Sequence, residues 1–241
     1  MIYVYRIYQF LIMLPVMLVA TVITALSTII GSIAGGGKWW GYYPEVIWSK
    51  IMCRIALVKV SVEGRDNIDA NTSYMFVANH QSAYDIFTIY GYLGHNFRWM
   101  MKKELRKIPL VGYACETAKQ IYVDKSSTSA LRHTMERAEQ LLRGGMSVVV
   151  FPEGARTWDG DMRKFKKGAF LLATEFNLPI VPLTIDGAFK VLPRFKKLPL
   201  WGHIKLTIHK PINPPEGGFV LSDIMQQSYD EIKSALPAKN E

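Results

Sequence analysis

YMFVANHQSAYDIFTIY, residues 74–90, decides how this chain folds. Its opening run is apolar, short and closed by the polar pair Asn79–His80, which reads as a covered strand over 74–78. A helix opens near Ser82, so the stretch is a strand–loop–helix unit, the repeating piece of a parallel sheet. It also poses a chemical question. His80 is one of only five histidines, and Asp85 follows five positions later. On a regular helix five positions rotate by about 140°, so two helical side chains at this spacing cannot share a face. They meet if His80 lies in the loop and Asp85 in the first turns of the helix. A carboxylate on one imidazole nitrogen then fixes the tautomer and leaves the other nitrogen as a base. A capping histidine beside a helix-surface acid would show the same spacing, so the pair alone does not decide.

Outward from this unit the same texture repeats. "LVKVSVEG" (57–64), "FRWMMK" (97–102), "KQIYVD" (119–124), "SVVVF" (147–151) and "PIVPLTI" (179–185) are short and apolar or β-branched, as strands tend to be. "HIKLTIHK" (203–210) alternates with period two and reads as a late or edge strand. Residues 126–145 have a Ser/Thr-rich start, helical apolar spacing and a double-glycine stop. Residues 166–177 and 222–236 read as further helices. The expected fold is α/β: a mixed, mainly parallel sheet flanked by helices on both faces.

An N-terminal membrane-embedded helical segment is expected before it. No charged residue occurs from Ile7 to Gly37, and the apolar run is long enough to cross a bilayer core of ~30 Å. It exceeds the apolar core of a signal peptide and lacks a clear small-residue cleavage site. Lys38, Lys50, Arg54 and Lys59 follow, so the positive-inside tendency keeps the remaining chain cytoplasmic. Residues 44–58 read as an interfacial helix with Lys50 and Arg54 on its wet face. Whether the segment spans the bilayer, or bends around Pro15 and Gly35–Gly37 into one leaflet, stays open. The expected division is 1–57 for the membrane-anchoring helices and 58–241 for the α/β domain.

The net charge of +9 favours an anionic partner without naming one. Cys53 and Cys115 form no paired-cysteine motif, which argues against a disulfide framework or zinc site. "GSIAGGGKW" misses the register of a phosphate-binding loop and reads as a hinge. No metal-hydrolase or serine-hydrolase pattern occurs, and a nucleic-acid recognition motif is missing too.

Three more blocks accompany "NHQSAYD". In "FPEGART", Pro152, Glu153 and Gly154 end an apolar strand, and Arg156 offers a fork matched to phosphate oxygens. In "KKELRKIPLVG", Lys102 leaves a strand and Pro109 and Gly112 set a turn. In "LPIVPL", Pro182 shapes backbone. Each has a plain alternative: a structural Glu–Arg pair, a solvated basic face, a strand bracketed by prolines.

In this order, over about residues 55 to 210, the four blocks resemble the glycerolipid acyltransferase family of the bacterial PlsC type, the lysophosphatidate acyltransferases. The resemblance implies acyl transfer from acyl-CoA or acyl-acyl carrier protein to the sn-2 hydroxyl of lysophosphatidate, with no cofactor beyond the donor and no metal. His80, held by Asp85, would act as general base. Lys102, Lys125, Glu153, Gly154 and Arg156 would form the substrate-binding set, with Glu153 holding the architecture or Arg156 and Gly154 with its neighbours supplying N–H donors. The implied partners are a membrane lipid substrate, an anionic membrane surface and acyl carrier protein, on the cytoplasmic membrane. The basic runs Arg163–Lys167 and Lys190–Lys197 suit anionic lipid or the phosphates of coenzyme A. Two departures stand out. Ala155 occupies the usual threonine position, and Lys125 stands where arginine is expected. Other acceptors therefore remain in play, a lysophospholipid with a larger headgroup or an acylated amino-acid lipid, as does a non-catalytic lipid-binding protein.

Overall fold

A computed structural model describes residues 1–124 and 126–237. Residues 75–78 are fully buried, and alternation sends Phe76 and Ala78 into one core and Met75 and Val77 into another. The strand is therefore covered on both sides, as its continuous apolar run requires. Seven strands form one sheet: β1 (Val58–Glu63), β2 (Met75–Ala78), β3 (Phe97–Lys102), β4 (Ile121–Val123), β5 (Ser147–Val150), β6 (Ile180–Asp186) and β7 (Gly202–Ile208). Their order is β1-β7-β6-β2-β5-β3-β4. Only the β6–β7 pairing is antiparallel.

The helices are α1 (Ile2–Tyr8), α2 (Leu14–Gly31), α3 (Gly37–Trp40), α4 (Tyr43–Ile55), α5 (Tyr84–Tyr92), α6 (Val111–Thr117), α7 (Thr128–Arg143), α8 (Leu171–Glu175), α9 (Ala188–Val191) and α10 (Leu221–Ser234). Residues of α4, α5 and α9 cover the Phe76 face, with Met13 and Tyr42 from the N-terminal segment. Residues of α7, α8 and α10 cover the Met75 face. The Ser127 hydroxyl caps α7 by accepting from the Ala130 N–H at 3.1 Å.

Three sequence expectations need correction. β7 is not an edge: β1 lies outside it, and the alternation of β7 marks one covered face, carrying Ile204, Leu206 and Ile208. The interfacial helix stops at Ile55, because Leu57 turns the chain with φ 57° and Val58 already belongs to β1. The helix expected over 166–177 shrinks to α8 after a tight turn at Lys167–Ala169.

Ile2–Trp40 is one helical segment, long and apolar enough to cross a membrane. Pro15 does not break it: the proline sits in the first turn of α2, directly after a π-turn at Gln9–Met13. The bend comes at Gly35, with φ 98°, and Trp40 folds back so closely that a Cβ on Gly31 would lie 2.1 Å from its indole. One side of the segment docks on the α/β unit. Tyr5 and Tyr8 hydroxyls donate to the carbonyls of Ala56 and Ile55, both at 2.8 Å, and Gln9 Nε2 donates to Pro199 O at 2.8 Å. Buried Arg98 of β3 holds the bend, with Nη2 donating to Gly37 O at 2.9 Å. Leu11, Leu18, Val19, Ile23, Ile30 and Ile33 remain exposed.

Candidate active site

The loop leaving β2 is built by hydrogen bonds from three directions. Buried Asn79 reaches to β6, accepting from Ile185 N–H at 2.8 Å and donating to Ile185 O at 2.9 Å. This clip fixes where the strand ends and His80 begins. Asp85 lies in the first turn of α5 with no solvent exposure. Its Oδ2 accepts from Gln81 N–H at 2.7 Å and Ser82 N–H at 2.8 Å, and pairs with His80 Nδ1 at 2.9 Å. A carboxylate accepting these bonds places the imidazole proton on Nδ1 and leaves Nε2 as the acceptor nitrogen. The ring lies flat on Phe151, 3.8 Å between centroids, and Phe151 stacks in turn on Trp99. Only 14% of the His80 side chain reaches solvent, so the base is oriented by packing as well as by charge.

The turn after β5 closes the other side. Glu153 is 1% exposed, and both of its oxygens serve backbone donors: Oε1 accepts from His80 N–H at 2.7 Å and Oε2 from Arg163 N–H at 2.9 Å. Burial, aided by the Asp85 charge, pushes its carboxyl up to about 7 against those two bonds. It holds neither Arg156 nor a solvent-facing position, so its place is architectural. Gly154 adopts φ 75°, a conformation that favours glycine, and its N–H donates to Phe151 O at 3.0 Å. That N–H is therefore spent within the turn. The N–H groups of Ala155 and Arg156 have no acceptor among the described residues, while Thr157 N–H donates to His80 O at 3.0 Å. The half-buried Arg156 side chain likewise has no hydrogen-bond or ion-pair partner among the described residues.

The parallel strands bring these groups to one edge. His80 follows β2 and Glu153–Arg156 follow β5, its neighbour, at their carboxyl ends. Lys102 ends β3, which pairs β5 with Trp99 opposite Val149, so Lys102 leaves the sheet at the same edge. It is exposed, and Lys103 rather than Lys102 pairs with Asp124, at 2.6 Å. Lys125 falls outside the described residues. Pro182 is opposite Val77 in β6, immediately before the antiparallel pairing with β7 begins. Sequence reasoning missed Asn79 as the clip to β6, although its place at a strand end beside the histidine was visible. Arg194 belongs to the basic run Lys190–Lys197, but the sequence did not tie it to the turn, where its guanidinium Nη1 donates to Arg156 O at 2.9 Å.

An imidazole–carboxylate pair thus sits at the end of one parallel strand, tied by backbone bonds to a turn whose Ala155 and Arg156 N–H groups are unmatched among the described residues. Comparison with known proteins narrows the class. A family model described as Acyltransferase matches residues 59–186, more than half of the chain, and the protein belongs to that family. The chloroplastic 1-acyl-sn-glycerol-3-phosphate acyltransferase of Arabidopsis thaliana is 33% identical over 169 residues, 69% of this chain and 47% of that protein. The 1-acyl-sn-glycerol-3-phosphate acyltransferase of Helicobacter pylori is 31% identical over 140 residues, 58% of this chain and 59% of that protein. The match thus spans about half the length of these curated relatives. The crystal structure of the 1-acyl-sn-glycerophosphate (LPA) acyltransferase PlsC from Thermotoga maritima superposes with TM-score 0.81 at 26% identity, covering 98% of this chain and all of that one.

Proposed function

We propose that this protein transfers a fatty acyl group from an acyl thioester, acyl-CoA or acyl-acyl carrier protein, to the sn-2 hydroxyl of lysophosphatidate, giving phosphatidate. The observation that carries the reading is the His80–Asp85 pair, with Nε2 left to accept a proton, beside a turn whose Arg156 guanidinium has no partner among the described residues. The activities by which the relatives are named support the same acceptor.

In this mechanism His80 Nε2 takes the hydroxyl proton as the oxygen attacks the thioester carbonyl. The imidazolium is stabilised by Asp85. The N–H groups of Ala155 and Arg156 are the candidates to receive the developing oxyanion, since the neighbouring N–H groups of Gly154 and Thr157 are already occupied. Collapse expels the thiolate, which takes the proton back from the imidazolium. Arg156 and Lys102 bind the acceptor phosphate, and Glu153 positions His80 through its backbone. The exposed apolar side of Ile2–Trp40 inserts into the membrane, with the α/β domain on the cytoplasmic face, and brings the site to the lipid headgroups.

The test gives purified protein a panel of lysolipids and acyl thioesters and follows products by mass spectrometry. Wild type should acylate lysophosphatidate, and His80→Ala should lose at least about 10²-fold in kcat while unfolding at an unchanged temperature. Full activity in that variant would sink the mechanism. A preference for a larger headgroup would move the acceptor elsewhere.

A further inference from the structure

We infer that Lys166 and Arg194, two cations outside the four sequence blocks, complete the phosphate-binding site around Gly154–Arg156. The inference rests on the acceptor reading above and adds residues to it.

Lys166 follows the loop that leaves the FPEGAR turn, and its backbone returns to that turn: Lys166 N–H donates to Pro152 O at 3.0 Å. Its ammonium comes to rest over Gly154, where a Cβ would lie 2.8 Å from Nζ. Glycine at 154 therefore does two things. It permits the positive φ and leaves room for a cation against the turn. No acidic side chain pairs with Lys166 among the described residues, and Glu153, the neighbour of Gly154, is spent on backbone donors.

Arg194 reaches the turn from the segment that follows α9. Its segment is pinned to the catalytic loop: Ser82 Oγ donates to Leu192 O at 2.8 Å, and Ser82 and Pro193 form a bridge. From there Nη1 donates to Arg156 O at 2.9 Å, and the guanidinium lies over the Trp158 ring, 4.2 Å from its centroid. That stacking fixes the plane of the fork while one nitrogen braces the turn. Nε and Nη2 have no acceptor among the described residues. A phosphate monoester carries up to two negative charges and three free oxygens, which one arginine cannot saturate. Two further cations converging on the same three residues fit a monoester better than a diester. They also supply charge and a fork at a turn where Ala155 offers no hydroxyl.

The same chemistry occurs at the lysolipid headgroup and at the 3′-phosphate of coenzyme A, and the assays separate them. Full-length Lys166→Gln, Arg194→Gln, Arg194→Lys and the double Gln variant are assayed in neutral mixed micelles, with Lys210→Gln as an exposed charge control. Each Gln variant should raise KM for lysophosphatidate about 10-fold or more, with kcat within a few-fold and donor KM unchanged. Arg194→Lys should fall between, since it keeps the charge and loses the fork. Inorganic phosphate should raise the unfolding temperature of wild type and not that of the double variant. Unchanged acceptor KM, a rise confined to the acyl-CoA donor, or a loss of kcat alone would each overturn the inference. If wild type ignores lysophosphatidate while phosphate still stabilises it and not the double variant, the acceptor reading falls and this anion site stands.

Discussion

Glu153 shows what a single residue contributes when its partners are backbone groups. Its two oxygens tie the loop after β2 to the segment at Arg163, and both are taken by backbone N–H groups. Its carboxyl, raised to about 7, sits above the ordinary carboxylate range, so the native state binds more protons than the unfolded chain between about 4.5 and 7. The contribution to stability is full below that window and is lost as pH rises through it, by at most about 3 kcal/mol. Glu153→Gln cannot titrate and loses one acceptor. Its unfolding temperature should therefore fall less steeply than that of wild type between pH 4.5 and 7, and its kcat should drop through a displaced His80. Parallel stability–pH slopes for the two proteins would refute the assignment. The sequence made His80 and Asp85 legible because helix geometry limits how they can meet. It left Glu153 ambiguous because main-chain partners 73 and 10 positions away leave no mark in residue types.

At the scale of elements, the seven strands are readable because each is short and either apolar and covered or alternating with one covered face, and the carboxyl ends of β2, β5 and β3 collect the candidate site. The failures have local causes. The helical apolar spacing of 166–177 was outweighed by a loop that must return Lys166 to Pro152, leaving only α8. The alternation of β7 fits its place as the last strand in the chain but not an edge, because period two reports a half-covered face and says nothing about neighbours. Register between β2 and β6 depends on Asn79, which replaces strand pairing at Ile185 with two side-chain bonds. Asn79→Ala would leave a buried N–H and a buried C=O unmatched, at roughly 1–3 kcal/mol each. Urea unfolding should show a lower midpoint, and kcat should fall because His80 is the next residue. A variant as stable as wild type would mean that the Asn79 clip does not hold β2 to β6.

For the whole molecule, composition exposed the apolar N-terminal segment but concealed how it is attached. Gln9 meets Pro199 and Arg98 meets Gly37, separations of 190 and 61 residues that no local pattern encodes. The sequence suggests membrane-anchoring helices over 1–57 and an α/β domain over 58–241, and contacts join residues of both stretches in one core. Met13, Tyr42, Cys53 and Ala56 are buried with Phe76, Tyr84 and Ile89 in a single cluster. Tyr42 packs on Tyr90 and Phe97, and Trp48 packs on Phe87. Removing residues 1–57 would re-expose those three rings at roughly 1.5–3 kcal/mol each. That loss is comparable with a whole typical domain stability of about 5–15 kcal/mol. The fragment 58–241 should therefore aggregate or bind a hydrophobic dye without a cooperative thermal transition, while the full chain in detergent unfolds cooperatively. A soluble fragment with a sharp transition would show that the N-terminal helices only tether. The expected result instead makes them a wall of the enzyme, so that the position of the site at the membrane is set by the same packing that holds the fold together.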